Sequence, residues 1–239
     1  MMKAPIGVLL SVGTQCHEET LWAIEQAGYP GKIVLSQDIL DNHRVLLDLA
    51  ALVVPGGFSE GDYFGSGRAV ALILGDLLRE FAVMSKPMLG ICNGFQILME
   101  TGLFDKGELS GGALVQNLSG KFESRWSRLL ALRGSPWTEG IEGQVLRMPV
   151  AHGEGRWRVP SNSTRHLKVT FRYCNVDGKP TATLQYPENP NGSPGGVTAI
   201  AKRLVMGMMP HPERANRPEL GSIDGRLIFN ALVRLTKAA

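Results

Sequence analysis

The amino-acid sequence predicts a doubly wound α/β protein, and three observations support that prediction. Short runs in the first half are apolar at consecutive positions, as in strands that are buried on both faces. Segments with helical periodicity separate these runs, which is the pattern of a parallel sheet covered by helices on both sides. Beyond about Gly111 the runs alternate partly between apolar and polar residues, which predicts half-exposed antiparallel strands added to that sheet or forming a flap.

The individual elements follow from local signals. In the first half, strands are predicted at residues 6–13, 32–36, 49–57 and 87–91, with helices at 18–27, 69–81 and 94–100. Gly28 and Gly102 end the first and last of these helices. In the second half, strands are predicted at 129–133, 144–150, 167–174 and 180–186, then a hairpin at 199–210 and a helix at 224–236. No composition break marks a linker, so we expect residues 1–239 to form a single domain.

Composition excludes several classes of protein. Of the 239 residues 44% are hydrophobic, which excludes a disordered chain, and a net charge of +3 is too small to indicate nucleic-acid binding. No apolar run reaches the roughly 18 residues of a membrane helix, and the first apolar run lacks the cleavage pattern of a signal peptide. We therefore expect a cytoplasmic protein that binds neither nucleic acid nor membranes. Triplets of the N-glycosylation type begin at Asn117, Asn162 and Asn191, but they do not predict glycosylation in a protein that is not secreted.

The sharpest local feature is a cysteine between a predicted strand and a predicted helix. Cys92 has Gly90 and Gly94 two residues away on either side, which is the spacing of a nucleophile on a tight strand-to-helix turn. A helix N-terminus stabilises a thiolate, and the amide N–H of Asn93 then points to where an oxyanion would form. The alternative is a buried structural cysteine. The paired glycines favour the nucleophile.

A thiolate nucleophile in acyl transfer needs a base that a third group orients. His211 directly follows the predicted hairpin, and Glu213 comes two residues later. Prolines beside His211 fix an extended backbone, in which residues i and i+2 point to the same side. Glu213 can therefore hold the imidazole of His211 while the other ring nitrogen faces Cys92. His152, with Glu154 two residues on, is the rival base; otherwise it belongs to a loop that shapes a pocket or a partner surface.

A glycine-rich segment at residues 55–67 follows the third predicted strand, at the same edge of the sheet as Cys92. We expect the backbone N–H of Gly57 to supply a second oxyanion donor, the alternative being a tight turn without a catalytic part. Cys16 lies near the same edge and could line the site, but we expect both it and Cys174 to be packing residues. No Cys/His set has the spacing of metal ligands, so no metal site is expected.

Four segments together resemble the class I glutamine amidotransferases: GICNGFQIL, PGGFSEGDYF, PVAHGEGR and LVMGMMPHPERA. More narrowly, they resemble the glutaminase subunits of phosphoribosylformylglycinamidine synthase, an enzyme of de novo purine biosynthesis. The resemblance covers nearly the whole chain. Each motif alone is weaker, but the combination is specific.

The resemblance implies a flavodoxin-like sheet and a Cys-His-Glu triad. By motif, Cys92 is the nucleophile, His211 the general base and acid, and Glu213 the carboxylate that orients His211. The resemblance implies three further residues that contact the substrate. The backbone amides of Gly57 and Asn93 form the oxyanion hole, and Gln96 contacts the bound glutamine.

The resemblance also implies a reaction and partners. The family hydrolyses glutamine through a thioester and passes the ammonia to a separate ATP-dependent synthetase subunit, in some cases with a small bridging subunit. This chain is then expected to hold no cofactor, because ATP and Mg²⁺ belong to the synthetase.

The sequence departs from the family pattern at Gln15, where Asn is usual, and at Glu60 and Gly65, where an aromatic residue and an Arg are common. These positions concern docking and activation, not the triad. Two other classes of protein stay open: a cysteine hydrolase or peptidase on the same turn, and a binding subunit without turnover. The Pro-His-Pro-Glu segment favours the glutaminase over the first, and the intact triad favours it over the second.

Overall fold

The computed structural model describes residues 3–62, 65–104, 112–158, 167–180 and 186–239. Its strands are β1 Ile6–Leu10, β2 Gly31–Leu35, β3 Ala51–Val54, β4 Met88–Ile91, β5 Ala113–Gln116, β6 Glu123–Ala131, β7 Val145–His152, β8 Glu154–Arg158, β9 Lys168–Tyr173, β10 Val197–Lys202 and β11 Val205–Met208. Its α-helices are α1 His17–Gln26, α2 Ser36–Asp41, α3 Arg68–Val83, α4 Asn93–Glu100 and α5 Arg226–Ala238. Among these residues, no helix has the length and apolar character needed to cross a membrane.

One half of the main sheet is parallel and buried. Its strands lie in the order β2-β1-β3-β4-β11, and every residue of β3, β4 and β11 is buried. Helices α1 and α5 pack together, as do α3 and α4. The register pairs Ile91 of β4 with Met208 of β11, so both strands end at the same level of the sheet. Residues that follow β3, β4 and β11 therefore meet at one carboxyl edge, where doubly wound proteins place their sites.

The other half of the sheet is antiparallel. It continues from β11 in the order β10-β9-β6-β7, while β5 and β8 form a separate two-stranded sheet. In a flat sheet β7 would lie about 19 Å from β11, at about 4.8 Å for each strand. Nevertheless, the backbone N–H of His211, just beyond β11, donates to the carbonyl oxygen of Pro149 in β7 at 2.9 Å. The antiparallel half therefore curls back until β7 faces the carboxyl edge of the parallel half.

The doubly wound, mostly parallel sheet with added antiparallel strands is confirmed, and most element predictions differ from the structure only at their ends. The short helix α2 and the two-stranded sheet of β5 and β8 are additions that the sequence pattern did not indicate. The strand predicted at 180–186 lies almost entirely outside the described residues. One apolar cluster runs through both halves, from Ile6 of β1 to Leu235 of α5, with Phe171 of β9 fully buried in it.

Candidate active site

Cys92 occupies a strained turn between β4 and α4. Its backbone has φ 51° and ψ −108°, in the left-handed half of conformational space that a non-glycine residue rarely adopts. The amide N–H of Cys92 donates to the carbonyl of Met208 at 2.8 Å, which ties the turn to the end of β11. Gly94 has to be small, because a Cβ there would lie 1.8 Å from the carbonyl oxygen of Val54. The glycine spacing seen in the sequence is thus a steric requirement of this turn.

His211 and Glu213 lie directly opposite this turn. The Nδ1 atom of His211 is 2.5 Å from Oε1 of Glu213, and both residues are only 2% exposed. The ring of His211 lies beside Cys92, because a Cβ placed on Gly56 would be 2.9 Å from Cε1 of His211 and 3.5 Å from Cβ of Cys92. Its Nε2 atom is buried and has no hydrogen-bond partner among the described residues. Burial lowers the pKa of His211, but the Glu213 carboxylate and the Cys92 sulfur together raise it to a net value well above the ordinary one. The arrangement is a thiol, an imidazole and an orienting carboxylate in sequence, as nucleophilic acyl transfer requires.

Strand β7 supplies the other wall of this site. The Cys92 sulfur lies 3.4 Å from the carbonyl oxygen of Ala151, and His152 follows it in the chain. His152 is 2% exposed, and burial together with the charge of nearby His211 lowers its pKa to about 3. The Nδ1 atom of His152 contacts Oδ1 of Asn117 at 3.1 Å, so Asn117 rather than Glu154 orients this ring. A histidine that stays neutral in this way is a poor general base, which favours His211.

A second sulfur approaches the same imidazole. Cys16, at the start of α1, has its Sγ 4.0 Å from Nδ1 of His211 and accepts a hydrogen bond from Nη2 of Arg214 at 3.1 Å. Its contact is with the ring nitrogen that Glu213 already holds, and it lacks the strained turn of Cys92. Cys16 therefore lines the site, which the sequence allowed, although we expected it to be only a packing residue. Cys92 is better placed for attack.

The ligand-type atoms of Cys16, His211 and Glu213 all lie within 4.8 Å of one another, a cluster that sequence spacing did not predict. This proximity is explained by hydrogen bonds within the protein. The imidazole and the carboxylate face each other at 2.5 Å, and the sulfur is engaged by Arg214. We therefore interpret these three residues as part of the hydrogen-bonded catalytic site rather than as a set of metal ligands.

Asn93 connects the segment after β3 to α4. Its side-chain Oδ1 accepts from the backbone N–H of Ser59 at 3.1 Å, and its Nδ2 donates to Oε1 of Gln96 at 3.0 Å and to Oδ1 of Asp62 at 3.2 Å. Gln96 in turn donates from Nε2 to the carbonyl of Glu154 at 2.5 Å. Burial raises the pKa of the Asp62 carboxyl. This network fixes the turn of Cys92 relative to β8 and to the glycine-rich segment.

Gly57 lies against the segment that follows β1. Hydrogen bonds on either side of it join Phe58 N–H to the Gly13 carbonyl at 3.0 Å and Gln15 N–H to the Gly56 carbonyl at 3.1 Å. Gly57 has φ 154°, and a Cβ there would lie 2.4 Å from the Gly13 oxygen. The preceding residue, Gly56, faces Cε1 of His211 and Cβ of Cys92, so Gly57 lies beside the site, at the edge that the sequence predicts.

The three departures from the family pattern lie around this region. The side chain of Gln15 is exposed, Glu60 has φ 53°, and Gly65 has φ 102° with open space around its α-carbon. A left-handed backbone at Gly65 suits glycine better than the arginine common in the family. Of the glycosylation-type asparagines, Asn117 and Asn191 are buried, and Asn162 lies outside the described residues.

Sequence reasoning missed three parts of the site: Asn117, Arg214 and the Ala151 carbonyl. Arg214 could have been suspected from its place beside Glu213, which its Nε approaches to 3.9 Å. Nothing local marks Asn117, which contacts His152 from 35 residues away.

Comparisons with known proteins agree with this geometry. The model of the CobB/CobQ-like glutamine amidotransferase domain matches residues 3–225. The phosphoribosylformylglycinamidine synthase subunit PurQ of Chlorobium chlorochromatii is 39% identical over 244 residues, which covers 98% of this chain and 98% of the relative. The PurQ subunit of Methanopyrus kandleri is 38% identical, with 95% of this chain and 96% of the relative covered.

Solved structures give the same result. A chain in the structure of PurLQS from Thermotoga maritima matches with a TM-score of 0.79 at 32% identity, covering 98% of this chain and 99% of that one. A glutamine amidotransferase of Thermotoga maritima shares the fold at 16% identity, with a TM-score of 0.58. The match covers 100% of this chain and 94% of that one. The chain therefore belongs to the CobB/CobQ-like glutamine amidotransferases and, within them, to the family of PurQ subunits of phosphoribosylformylglycinamidine synthase.

Proposed function

We propose that this chain is the glutaminase subunit of a phosphoribosylformylglycinamidine synthase. It hydrolyses glutamine to glutamate through a thioester on Cys92 and delivers the ammonia for de novo purine biosynthesis. The observation that carries the proposal is the strained turn of Cys92 facing the buried His211–Glu213 pair, in a chain of the PurQ family.

In the first step, His211 takes the thiol proton of Cys92 through Nε2, because its Nδ1 is held by Glu213. The thiolate attacks the side-chain carboxamide carbon of glutamine. Glu213 stabilises the imidazolium that results. Burial alone would lower the pKa of His211, but the Glu213 carboxylate contributes to a net increase in that pKa.

In the second step, the backbone amides of Gly57 and Asn93 stabilise the oxyanion, and Gln96 contacts the bound glutamine. Gln96 does so from the network it shares with Asn93 and Glu154, which limits its own movement. His211 gives its proton to the departing nitrogen, ammonia leaves, and water hydrolyses the thioester with His211 again as base.

The ammonia passes to a separate synthetase subunit, with a small bridging subunit as a further member of the complex. The structure of PurLQS from Thermotoga maritima, one chain of which matches this chain, supports an assembly of this kind. ATP and Mg²⁺ act in the synthetase, and this chain holds no cofactor of its own. We place the complex in the cytoplasm. We also regard residues 1–239 as one domain, because a single apolar cluster spans both halves of the sheet.

Glutamate release from glutamine by the purified chain tests this proposal. We expect release that rises on addition of the synthetase and is abolished by Cys92→Ala, because that variant lacks the sulfur proposed to form the thioester. Cys174→Ala is the matched control, because Cys174 is also buried but contacts the backbone of β6 rather than the triad. With ammonia in place of glutamine, the Cys92→Ala complex should still make product. Glutamate release by Cys92→Ala at the wild-type rate would overturn the assignment.

A further inference from the structure

His152 is a buried, polar side chain at the site that the triad does not use. It directly follows Ala151, whose carbonyl faces the Cys92 sulfur, and it lies within electrostatic range of His211. Its Nε2 atom is buried and has no hydrogen-bond partner among the described residues. Nε2 of His211 is also buried without a partner among the described residues, so two unpartnered ring nitrogens lie at this site for a ligand or a water to complete.

The neighbours of His152 determine which of its ring nitrogens is protonated. Asn117 donates from Nδ2 to the carbonyls of Lys121 at 3.0 Å and His152 at 2.7 Å, so its amide orientation is fixed. Its Oδ1 can therefore only accept, and it does so from the N–H of Gly155 at 3.2 Å and from Nδ1 of His152 at 3.1 Å. Nδ1 consequently carries the hydrogen, and Nε2 presents a lone pair.

This lone pair stays available across the working pH range. Burial and the charge of His211 lower the pKa of His152 to about 3, so the ring is neutral when His211 is protonated. A permanent acceptor thus lies next to a group that alternates between acceptor and donor. The two histidines of the site have different tasks.

We propose that Nε2 of His152 accepts a hydrogen bond from the side-chain amide nitrogen of the substrate glutamine, the nitrogen that leaves as ammonia. This inference rests on the proposed glutaminase function. In the tetrahedral intermediate that nitrogen carries two hydrogens and one lone pair. With one hydrogen held by His152, the lone pair is directed to the imidazolium of His211, which protonates it. The water that later hydrolyses the thioester finds the same acceptor.

The kinetic test compares two substitutions at this position in the whole protein with its synthetase. His152→Phe keeps a flat ring but removes the acceptor, and we expect kcat for glutamine to fall by about 10- to 100-fold. His152→Gln keeps an oxygen acceptor, and we expect it to retain most of that rate. Co-elution of each variant with the synthetase in size-exclusion chromatography, together with its circular dichroism spectrum, reports whether the subunit still folds and docks. Equal losses in both variants would contradict the inference.

A spectroscopic test reads the acceptor directly. The protein has five histidines, and ¹⁵N-histidine labelling with His152→Gln as reference assigns the resonances of His152. In Cys92→Ala, which binds without turnover, we expect a neutral Nδ1–H ring whose Nε2 resonance moves upfield on glutamine addition. If calorimetry shows glutamine bound and the Nε2 resonance does not move, the inference is wrong while the proposed function stands. If neither glutamine binding nor wild-type hydrolysis is found, the proposed function itself fails.

Discussion

The parallel and antiparallel halves of the sheet contribute to the site in different ways. The parallel half supplies Cys92 by a strictly local device, a turn between β4 and α4 that two nearby glycines permit. The antiparallel half supplies the Ala151 carbonyl and His152, which reach the site only because β7 curls back over the carboxyl edge. The reacting group is thus encoded over a few residues, whereas its surroundings depend on the whole sheet.

This difference determines what substitutions do in each half. In the parallel half, a single methyl group can prevent the turn from forming. In the antiparallel half, substitutions change the charge and protonation of buried groups, so their effect on stability varies gradually with pH.

The largest effect is expected for Gly94→Ala in the parallel half. The new Cβ would lie 1.8 Å from the carbonyl oxygen of Val54, so backbone has to move. We expect a loss of about 3 kcal/mol or more in the free energy of unfolding, measured by urea titration.

Gly75→Ala in α3 is the matched control for this substitution. Its Cβ would meet only ordinary contacts, the nearest being Nη1 of Arg79 at 3.5 Å. There we expect a gain of about 0.5–1 kcal/mol from helix propensity. A Gly94→Ala protein as stable as wild type would contradict the steric account of the turn.

An effect that is smaller for each pH unit is expected in the antiparallel half, from the pH dependence of stability. The folded protein holds His152 neutral with a pKa of about 3, whereas the unfolded chain titrates it near its ordinary value of about 6.5. As the pH falls below that value, the unfolded state binds a proton that the folded state excludes. The contribution to stability therefore decreases by about 1.4 kcal/mol for each pH unit down to about pH 3.

His211 has the opposite sign and does not mask this slope. Its raised pKa gives a stabilisation that is complete below the unfolded value and is lost only as the pH rises through the folded value. Urea titrations between pH 6.5 and 3.5 should show a shallower decline for His152→Phe than for wild type. Parallel declines in the two proteins would mean that His152 is not held neutral.

Much of this architecture was predictable because its signals are local. Apolar runs indicated the parallel strands, Gly90 and Gly94 indicated the turn, and the two-residue spacing placed Glu213 beside His211. The Cys92, His211 and Glu213 of the predicted triad do come together in space.

The remainder depends on tertiary structure. Helix α2 spans six residues, which is too few to show helical periodicity. Asn117 looks like any loop asparagine until the fold places it against His152. Cys16 and Arg214 meet across 198 positions of the chain, a contact for which no spacing rule exists.

The central claim is that the two halves join to make Cys92 the nucleophile, although Cys16 approaches the same imidazole. Acid quenching during turnover with glutamine, followed by mass spectrometry of the peptides, tests this claim most directly. We predict a glutamyl thioester on the peptide that contains Cys92 and none on the peptide that contains Cys16. A glutamyl adduct on Cys16, with Cys92 unmodified, would contradict the account.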